Sequence, residues 1–249
     1  MSTDSPSALN EPPGDAVHPL PRAALARALP FLLFVAVLAL RGALGDHGAI
    51  DERWLYLVQA GAALAALAWL RRSYWPATPD TPWLYMELGA APRSPARLAL
   101  AVAVGLAVFV LWINATASWM RIGTPVAGFV PLADDGSLRW ELVAPRLLGA
   151  VAVVPLIEEL MWRSLVMRWI DRRDFLSLAP GAGSWLALVL SSAVFALEHD
   201  LWLGGLCAGL AYALIYRATA NLWYPVIAHA VTNAALGAWV VATAAWSFW

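Results

Sequence analysis

The stretch LLGAVAVVPLIEELMWRSLVM, residues 147–167, decides the fold of this chain. It is long enough to cross a hydrocarbon core of about 30 Å as a helix, and yet it contains Glu158, Glu159 and Arg163. Each charged side chain costs about 2.5–3.5 kcal/mol to insert at the centre of such a helix. Charged residues in this setting face the interior of a protein and serve its function. The stretch therefore predicts a membrane helix that carries a site.

The composition of the whole chain places it in a membrane. Of its 249 residues, 61% are hydrophobic and 13% are charged, whereas soluble domains have about 45–50% and about 25%. A soluble globular protein is therefore excluded. The formal net charge of −1 gives no indication of a nucleic-acid partner. The single cysteine, Cys207, excludes an intrachain disulfide and a multi-cysteine metal site.

Other uncharged runs predict further membrane helices, at residues 28–40, 54–70, 98–120, 184–197, 201–216 and 218–249. A helix over the last run would be about 48 Å long, so we expect it to be bent or divided near Gly237. The expected fold is all-α, a polytopic membrane helix bundle of seven to eight transmembrane helices around a polar cavity. Residues 1–22 are predicted to form a disordered polar tail, and residues 23–249 a single transmembrane domain.

The arginines predict the orientation of the bundle. If the runs cross the membrane alternately, ten arginines fall on the side of the N-terminus and five on the other side. Cytoplasmic loops carry the excess of positive charge. The N-terminus is therefore expected in the cytoplasm.

The three charges of the 147–167 stretch divide into a pair and a single residue. Glu159 and Arg163 are four residues apart, so they share a helical face and can form an ion pair. Such a pair can serve only to hold helices together. Glu158 points about 100° away around the helix. The ion pair of Glu159 and Arg163 therefore does not explain why a charged residue stands at position 158. A carboxylate in this position is a candidate general base.

Two further clusters lie on apolar helices with the same spacing. Phe195 and His199 share one face, and His229 and Asn233 share another. A lone histidine near the end of a span is more often structural, and an asparagine often bonds to a neighbouring helix for about 1 kcal/mol. The pair His229 and Asn233 is more informative than either residue alone.

Taken together, Glu158, His199, His229 and Asn233 can hydrolyse an amide. A carboxylate can activate water, while imidazole and amide groups can stabilise the oxyanion. The sequence has no G-x-S-x-G elbow, no H-E-x-x-H motif and no nucleotide-binding loop.

The order of these motifs resembles one family. E-E-x-x-x-R, then F-x-x-x-H, then H-x-x-x-N, each on an apolar helix, is similar to the CPBP family, the CAAX proteases and bacteriocin-processing enzymes also called Abi. Members are type II CAAX-protease-like intramembrane glutamic endopeptidases with eight helices. The resemblance covers a motif core at residues 146–236. Arg41-Gly-Ala-Leu and Leu111-Trp-Ile-Asn114 resemble a bacterial subgroup, the CAAX prenyl protease-related proteins associated with PEP-CTERM/exosortase systems.

The resemblance implies a role for each matching position. Glu158 would be the catalytic glutamate that activates water with His199, while His229 and Asn233 would bind the oxyanion. Supporting residues would be Glu159, Arg163 and Phe195. Ser164 stands where many members have glycine. The substrate would be a membrane-embedded or lipid-modified protein within the lipid bilayer, and the subgroup implies a bacterial inner membrane.

Two alternatives stay open at this point. Glu158, His199 and His229 would also satisfy a catalytic zinc, although the resemblance favours a site without a cofactor. A transporter or scaffold could use the same residues as an ion relay, but no inverted repeat supports it. Simple vertical helices would place His199 about 22 Å and His229 about 9 Å from the same surface. A shared site therefore requires offset, tilted or broken helices around a water-filled cavity.

Overall fold

A computed structural model describes residues 19–44, 51–74, 87–89, 91–123 and 128–249. Seven long helices lie within these ranges: α1 (Pro19–Leu44), α2 (Leu55–Trp69), α3 (Pro95–Asn114), α4 (Trp140–Asp171), α5 (Trp185–Ala196), α6 (Trp202–Thr219) and α7 (Trp223–Thr243). The expected all-α membrane bundle is confirmed. Residues 1–18 of the predicted tail lie outside the described residues, and α1 already includes residues 19–22.

Serine caps and left-handed residues set several helix ends. Ser94 and Ser184 each accept a hydrogen bond from the backbone N–H three residues on, which caps α3 and α5. The predicted start of α5 near Ser184 is thus confirmed. Ala220 and Ala244 end α6 and α7 with φ of 50° and 56°, the left-handed conformation common after a helix.

The helices run alternately up and down. The Ser94 backbone N–H donates to Tyr224, and Arg97 donates to the Thr219 carbonyl, so α3 starts where α6 ends and α7 starts. Ser184 hydrogen-bonds to Asp171, the last residue of α4. We call this end of the bundle the inner end.

Four helices are long and apolar enough to cross a membrane by length and composition. They are α1 from Arg22 to Leu40, α3, α4 and α7. Helix α5 is apolar but has only 12 residues, a length of about 18 Å. Helix α5 is therefore shorter than a hydrocarbon core of about 30 Å.

Helix α4 contacts α1, α2, α5 and α7 and carries the charged stretch. It is continuous over 32 residues, about 48 Å, and therefore longer than the predicted span 147–167. Two of its segments, Gly149–Val153 and Leu160–Val166, are π-helical. The first lies just before Pro155, which has no N–H to continue the α-helical pattern. π-Helical turns within α-helices are frequent at functional sites.

The division predicted near Gly237 is wrong. Helix α7 runs through this residue to Thr243. A Cβ atom at Gly237 would lie 2.3 Å from Cδ2 of Leu147. Here glycine lets α7 pack closely on α4, and it does not break the helix.

A buried charge cluster joins four segments at the inner end. We call it the inner cluster; its members are Arg27 of α1, Glu87, Ser164 and Arg168 of α4, and Tyr216 of α6. Arg27 and Arg168 are 1% and 0% exposed, although sequence placed both among the surface arginines. Each guanidinium also lies over the ring of Phe175, at 5.2 and 5.6 Å.

Candidate active site

The ion pair predicted on α4 is present and fully buried. Nε of Arg163 lies 3.0 Å from Oε2 of Glu159, and the two side chains are 1% and 0% exposed. Arg163 also donates to the Gly209 carbonyl at 2.9 Å, which ties α4 to α6. Helix cohesion, the plainer explanation of this pair, is therefore one of its roles.

Glu159 has a second partner that the spacing of residues did not indicate. Its Oε1 accepts a hydrogen bond from Nδ1 of His229 at 3.1 Å. This contact leaves Nε2 of His229 facing Glu158, whose Oε2 lies 3.9 Å away. Glu159 thus links the first and third motifs and fixes which imidazole nitrogen faces Glu158.

Glu158 differs from Glu159 in its charged partners. Oε2 of Glu159 lies 3.0 Å from Nε of Arg163, whereas Oε2 of Glu158 has Nε2 of His229 at 3.9 Å. The residue exposure of Glu158 is only 8%, and its Oε2 has no hydrogen-bond partner among the described residues. A buried carboxylate oxygen without a donor is uncommon and requires an explanation. An oxygen that faces a cavity is free to bind water there.

His199 is held by its own helix and by aromatic rings. Its Nδ1 lies 3.0 Å from the Phe195 carbonyl oxygen. A carbonyl only accepts, so Nδ1 carries the proton and Nε2 is the free acceptor. The imidazole lies between the rings of Phe195 and Trp112, with centroids 4.8 and 5.2 Å away.

Asn233 binds the backbone of α4 and keeps one donor free. Its Nδ2 donates to the Ala150 carbonyl at 2.8 Å. The carboxamide has two N–H donors, so the second is available to a ligand. Ala150 lies in the first π-helical segment of α4.

All four predicted residues line one cavity of about 120 Å³, namely Glu158, His199, His229 and Asn233. Phe195 also lines it, while Glu159 and Arg163 stand behind His229. Val154, Asn233 and Leu236 separate this space from a second cavity of about 230 Å³. The four residues named from the sequence thus share one small cavity, whose remaining lining is largely apolar.

An offset between helices brings the two histidines together. Glu158 lies thirteen residues before Asp171, and His199 fifteen residues after Ser184, so both lie about 20 Å from the linked ends of α4 and α5. Residues 87–89 cover the first turn of α7, since the Trp223 indole donates to the Leu88 carbonyl at 2.9 Å. His229 lies only six residues after Trp223, and yet its Nε2 lies 3.9 Å from Oε2 of Glu158. Helix α7 therefore starts deeper in the bundle than the linked ends of α4 and α5.

Two residues of the site escaped the sequence analysis as functional groups. Tyr212 of α6 and Trp112 of α3 both line the cavity and pack on His229 and His199 respectively. Neither has a charged partner at helical spacing. Their only sequence signal is a large aromatic side chain in an apolar run, which core packing explains equally well.

A catalytic zinc ion requires three protein side chains placed to coordinate it. Among the residues that the structure describes, no group of three His, Cys, Asp or Glu side chains is arranged to hold one. Nδ1 of His229 is hydrogen-bonded to Glu159, and Nδ1 of His199 to the Phe195 carbonyl. The zinc alternative therefore remains a hypothesis that needs its own test.

Comparison with known proteins identifies the family of the motif core. Residues 140–235 match the family model described as type II CAAX prenyl endopeptidase Rce1-like. No curated protein and no solved structure matches the chain. The matched range contains every residue of the three motifs, from Glu158 to Asn233. The predicted resemblance to the CPBP family is thereby confirmed: over residues 140–235 the chain is similar to the Rce1-like type II CAAX prenyl endopeptidases.

Proposed function

We propose that this integral membrane protein cleaves peptide bonds with a water molecule activated by Glu158 and His199. The observation that carries the proposal is the shared cavity. Its lining includes a carboxylate oxygen without a hydrogen-bond partner among the described residues, two imidazoles and an amide. The family match supports endopeptidase activity. The residue roles below are our inference from the contacts.

Water activation uses the two free acceptors of the site. Oε2 of Glu158 takes a proton from the water, while Nε2 of His199 accepts its second hydrogen bond and orients it. The hydroxide then forms a bond to the carbonyl carbon of the substrate. General base catalysis of this kind contributes about 10²–10⁴-fold to a rate.

Oxyanion stabilisation uses the donors on the opposite side of the cavity. Nε2 of His229 donates in the protonated form of the ring, whose positive charge Glu159 stabilises through Nδ1. The free N–H of Asn233 is the second donor. Fixed donors in a water-poor site stabilise the developing charge more strongly than water does.

Collapse of the intermediate returns the proton. The carbon–nitrogen bond breaks, the leaving amine takes the proton held by Glu158, and the carbonyl of the new carboxyl group reforms. Glu158 ends as a carboxylate, so the cycle consumes one water and leaves the enzyme unchanged.

The substrate we propose is a membrane-embedded or lipid-modified protein. The cavity lies within the bundle, about 20 Å from the linked ends of α4 and α5 at Asp171 and Ser184. A soluble peptide has no direct access to this depth. We further propose, from the arginine distribution and the subgroup resemblance, a bacterial inner membrane with the N-terminus in the cytoplasm.

Reconstituted protein can test this function directly. The probe is a quenched fluorescent peptide ending in a farnesylated CAAX sequence, with its unfarnesylated twin. We expect cleavage of the farnesylated probe by the wild type and a loss of at least about 100-fold in Glu158→Gln without a lower melting temperature. Glu141→Gln, at an exposed carboxylate, is the control that should keep full activity.

Three outcomes would contradict parts of this proposal. Wild-type cleavage by a folded Glu158→Gln protein would overturn the role of Glu158 and favour an ion relay or a scaffold. Cleavage of the unfarnesylated peptide alone would overturn the lipid-modified substrate. Activity lost on exhaustive chelation and restored stoichiometrically by zinc would establish a metalloprotease, whereas we expect activity to survive chelation.

A further inference from the structure

The ring of His229 has a stacking partner outside the three motifs. The aromatic ring of Tyr212 lies parallel to the imidazole, with centroids 4.9 Å apart and an interplanar angle of 18°. Tyr212 is 1% exposed and belongs to α6, whereas His229 belongs to α7. The contact therefore joins a motif residue to a helix that carries no motif residue.

The orientation of His229 needs more than its bond to Glu159. One hydrogen bond at Nδ1 fixes the position of that atom but leaves the imidazole free to tilt about it. A parallel ring against one face removes this freedom, because offset stacking favours one relative orientation. With the plane fixed, Nε2 stays directed at the cavity and at Glu158, 3.9 Å away.

Tyr212 is itself held by a chain of hydrogen bonds. Its hydroxyl donates to Oγ1 of Thr232 at 2.7 Å, and the Thr232 hydroxyl reaches the Gly105 carbonyl at 2.8 Å. Gly105 marks the close crossing of α3 and α7, where a Cβ atom would lie 2.4 Å from the Ala228 carbonyl oxygen. The stacking ring is thus fastened to a closely packed crossing of two helices.

We propose that Tyr212 is a positioning residue for His229, setting the plane of its imidazole and so the direction of Nε2. The inference rests on the proposed function of His229 as an oxyanion donor. Tyr212 is not a proton donor to the substrate, because its hydroxyl donates its hydrogen bond to Oγ1 of Thr232. Its effect on catalysis comes from the ring, while the hydroxyl keeps the ring in place.

The chain contains a matched control for this proposal. Tyr216 lies one turn further along α6 and is equally buried, at 0% exposure. Its hydroxyl donates to Glu87 of the inner cluster and not to the site. Substitutions of the two tyrosines therefore compare similar losses of packing at two different places.

The experiment combines kinetics with histidine NMR on the full chain in nanodiscs. With the farnesylated probe, Tyr212→Leu should lower kcat by about 10–100-fold, since a misplacement of 1 Å at a catalytic group can cost about 100-fold, with KM changed less than about twofold. Tyr212→Phe keeps the ring and should stay within about threefold of the wild type. Tyr216→Leu should lower the melting temperature while kcat stays within about threefold.

The NMR arm needs no substrate. The chain has four histidines, so the imidazole signals are few, and a His229→Gln variant identifies the one of interest. Its ring protons should lose their upfield aromatic shift in Tyr212→Leu and keep it in Tyr212→Phe and Tyr216→Leu. If Tyr212→Leu does not fold, Tyr212→Met replaces it, because it too lacks the ring.

Two results would overturn the proposal. Unchanged His229 signals in folded Tyr212→Leu would show that the stack does not set the ring. If kcat fell equally in Tyr212→Leu and Tyr216→Leu, and each loss followed the fall in melting temperature, Tyr212 would serve only in packing. Cleavage at the wild-type rate by folded Glu158→Gln would instead contradict the proposed function. The His229 ring signals would still decide whether Tyr212 positions the imidazole.

Discussion

Helix α4 carries two buried charge clusters that use the same chemistry for different ends. In the inner cluster both carboxylate oxygens of Glu87 are occupied, Oε1 by Arg168 and Tyr216, and Oε2 by Arg27 and Ser164. In the active-site cluster, formed by Glu158, Glu159, Arg163 and His229, Oε2 of Glu158 has no such partner among the described residues.

The difference between the clusters separates structural charges from reactive ones. A buried carboxylate whose acceptors are all used holds segments together and has nothing left for a ligand. A buried carboxylate with a free oxygen beside a cavity is costly to the fold and is available for chemistry. Burial and charge alone, which the two clusters share, do not tell them apart.

Removal of the carboxylate at Glu87 should produce the largest loss of stability. Glu87→Gln leaves Arg27 and Arg168 without an anion, and breaking a buried pair costs about 3–5 kcal/mol. We expect a lower free energy of unfolding with a nearly normal kcat in the protein that remains folded. Tryptophan fluorescence during denaturation and probe cleavage measure the two quantities. A folded, fully stable but inactive Glu87→Gln would break the comparison.

Glu159→Gln should affect both properties, because Glu159 belongs to the active-site cluster and its two oxygens lie close to Arg163 and His229. Arg163 loses its partner, at a cost of up to about 3–5 kcal/mol, and His229 loses the anion that supports its protonated form. We expect a lower melting temperature and a reduced kcat together. Full activity per folded molecule would show that Glu159 is only structural.

Ser164→Ala should have a smaller effect confined to stability. The Ser164 hydroxyl donates to Glu87 and accepts from Nε of Arg27 at 2.5 Å, and hydrogen bonds to charged groups contribute about 1.5–3 kcal/mol. The melting temperature should fall while kcat stays unchanged. A change in kcat at normal stability would show that the inner cluster communicates with the site.

The exposed pair at the opposite end should matter least. Arg53 donates to Asp51 at 2.8 Å, and this hydrogen bond lowers the pKa of the Asp51 carboxyl. Its contribution is present at pH 7 and is lost as the pH falls below about 4 toward the folded-state pKa. Asp51→Asn should cost less than about 1 kcal/mol at pH 7. The difference from the wild type should shrink in melts as the pH falls through the lowered pKa of Asp51, and a constant difference would contradict this assignment.

Sequence patterns found the residues of the candidate site because they repeat at helical spacing. Three pairs are each four residues apart: Glu159 and Arg163, Phe195 and His199, and His229 and Asn233. Polar residues are easy to recognise in such apolar helices. The contact between Glu159 and His229 was not predictable, since it depends on how deep α7 begins relative to α4.

The inner cluster gave no comparable signal. Glu87 lies between predicted spans, where a charged residue is ordinary, and the arginines at span ends have an interfacial explanation. Only packing shows that Arg27 and Arg168 turn inward. Likewise Gly237 suggested a helix break because glycine disfavours helices, whereas its close contact with Leu147 is a tertiary effect.

The shortness of α5 bears on the lipid around the enzyme. Its outward side chains are apolar, with Leu186, Leu190 and Val194 exposed, but this surface is only about 18 Å tall. A bilayer adapts to a short hydrophobic surface by thinning. Thinning beside α5 brings the headgroups and their water toward the turn that holds His199. Hydrophobic mismatch would thus shorten the path of water to the site, and hydrolysis should slow as the acyl chains of the host bilayer lengthen.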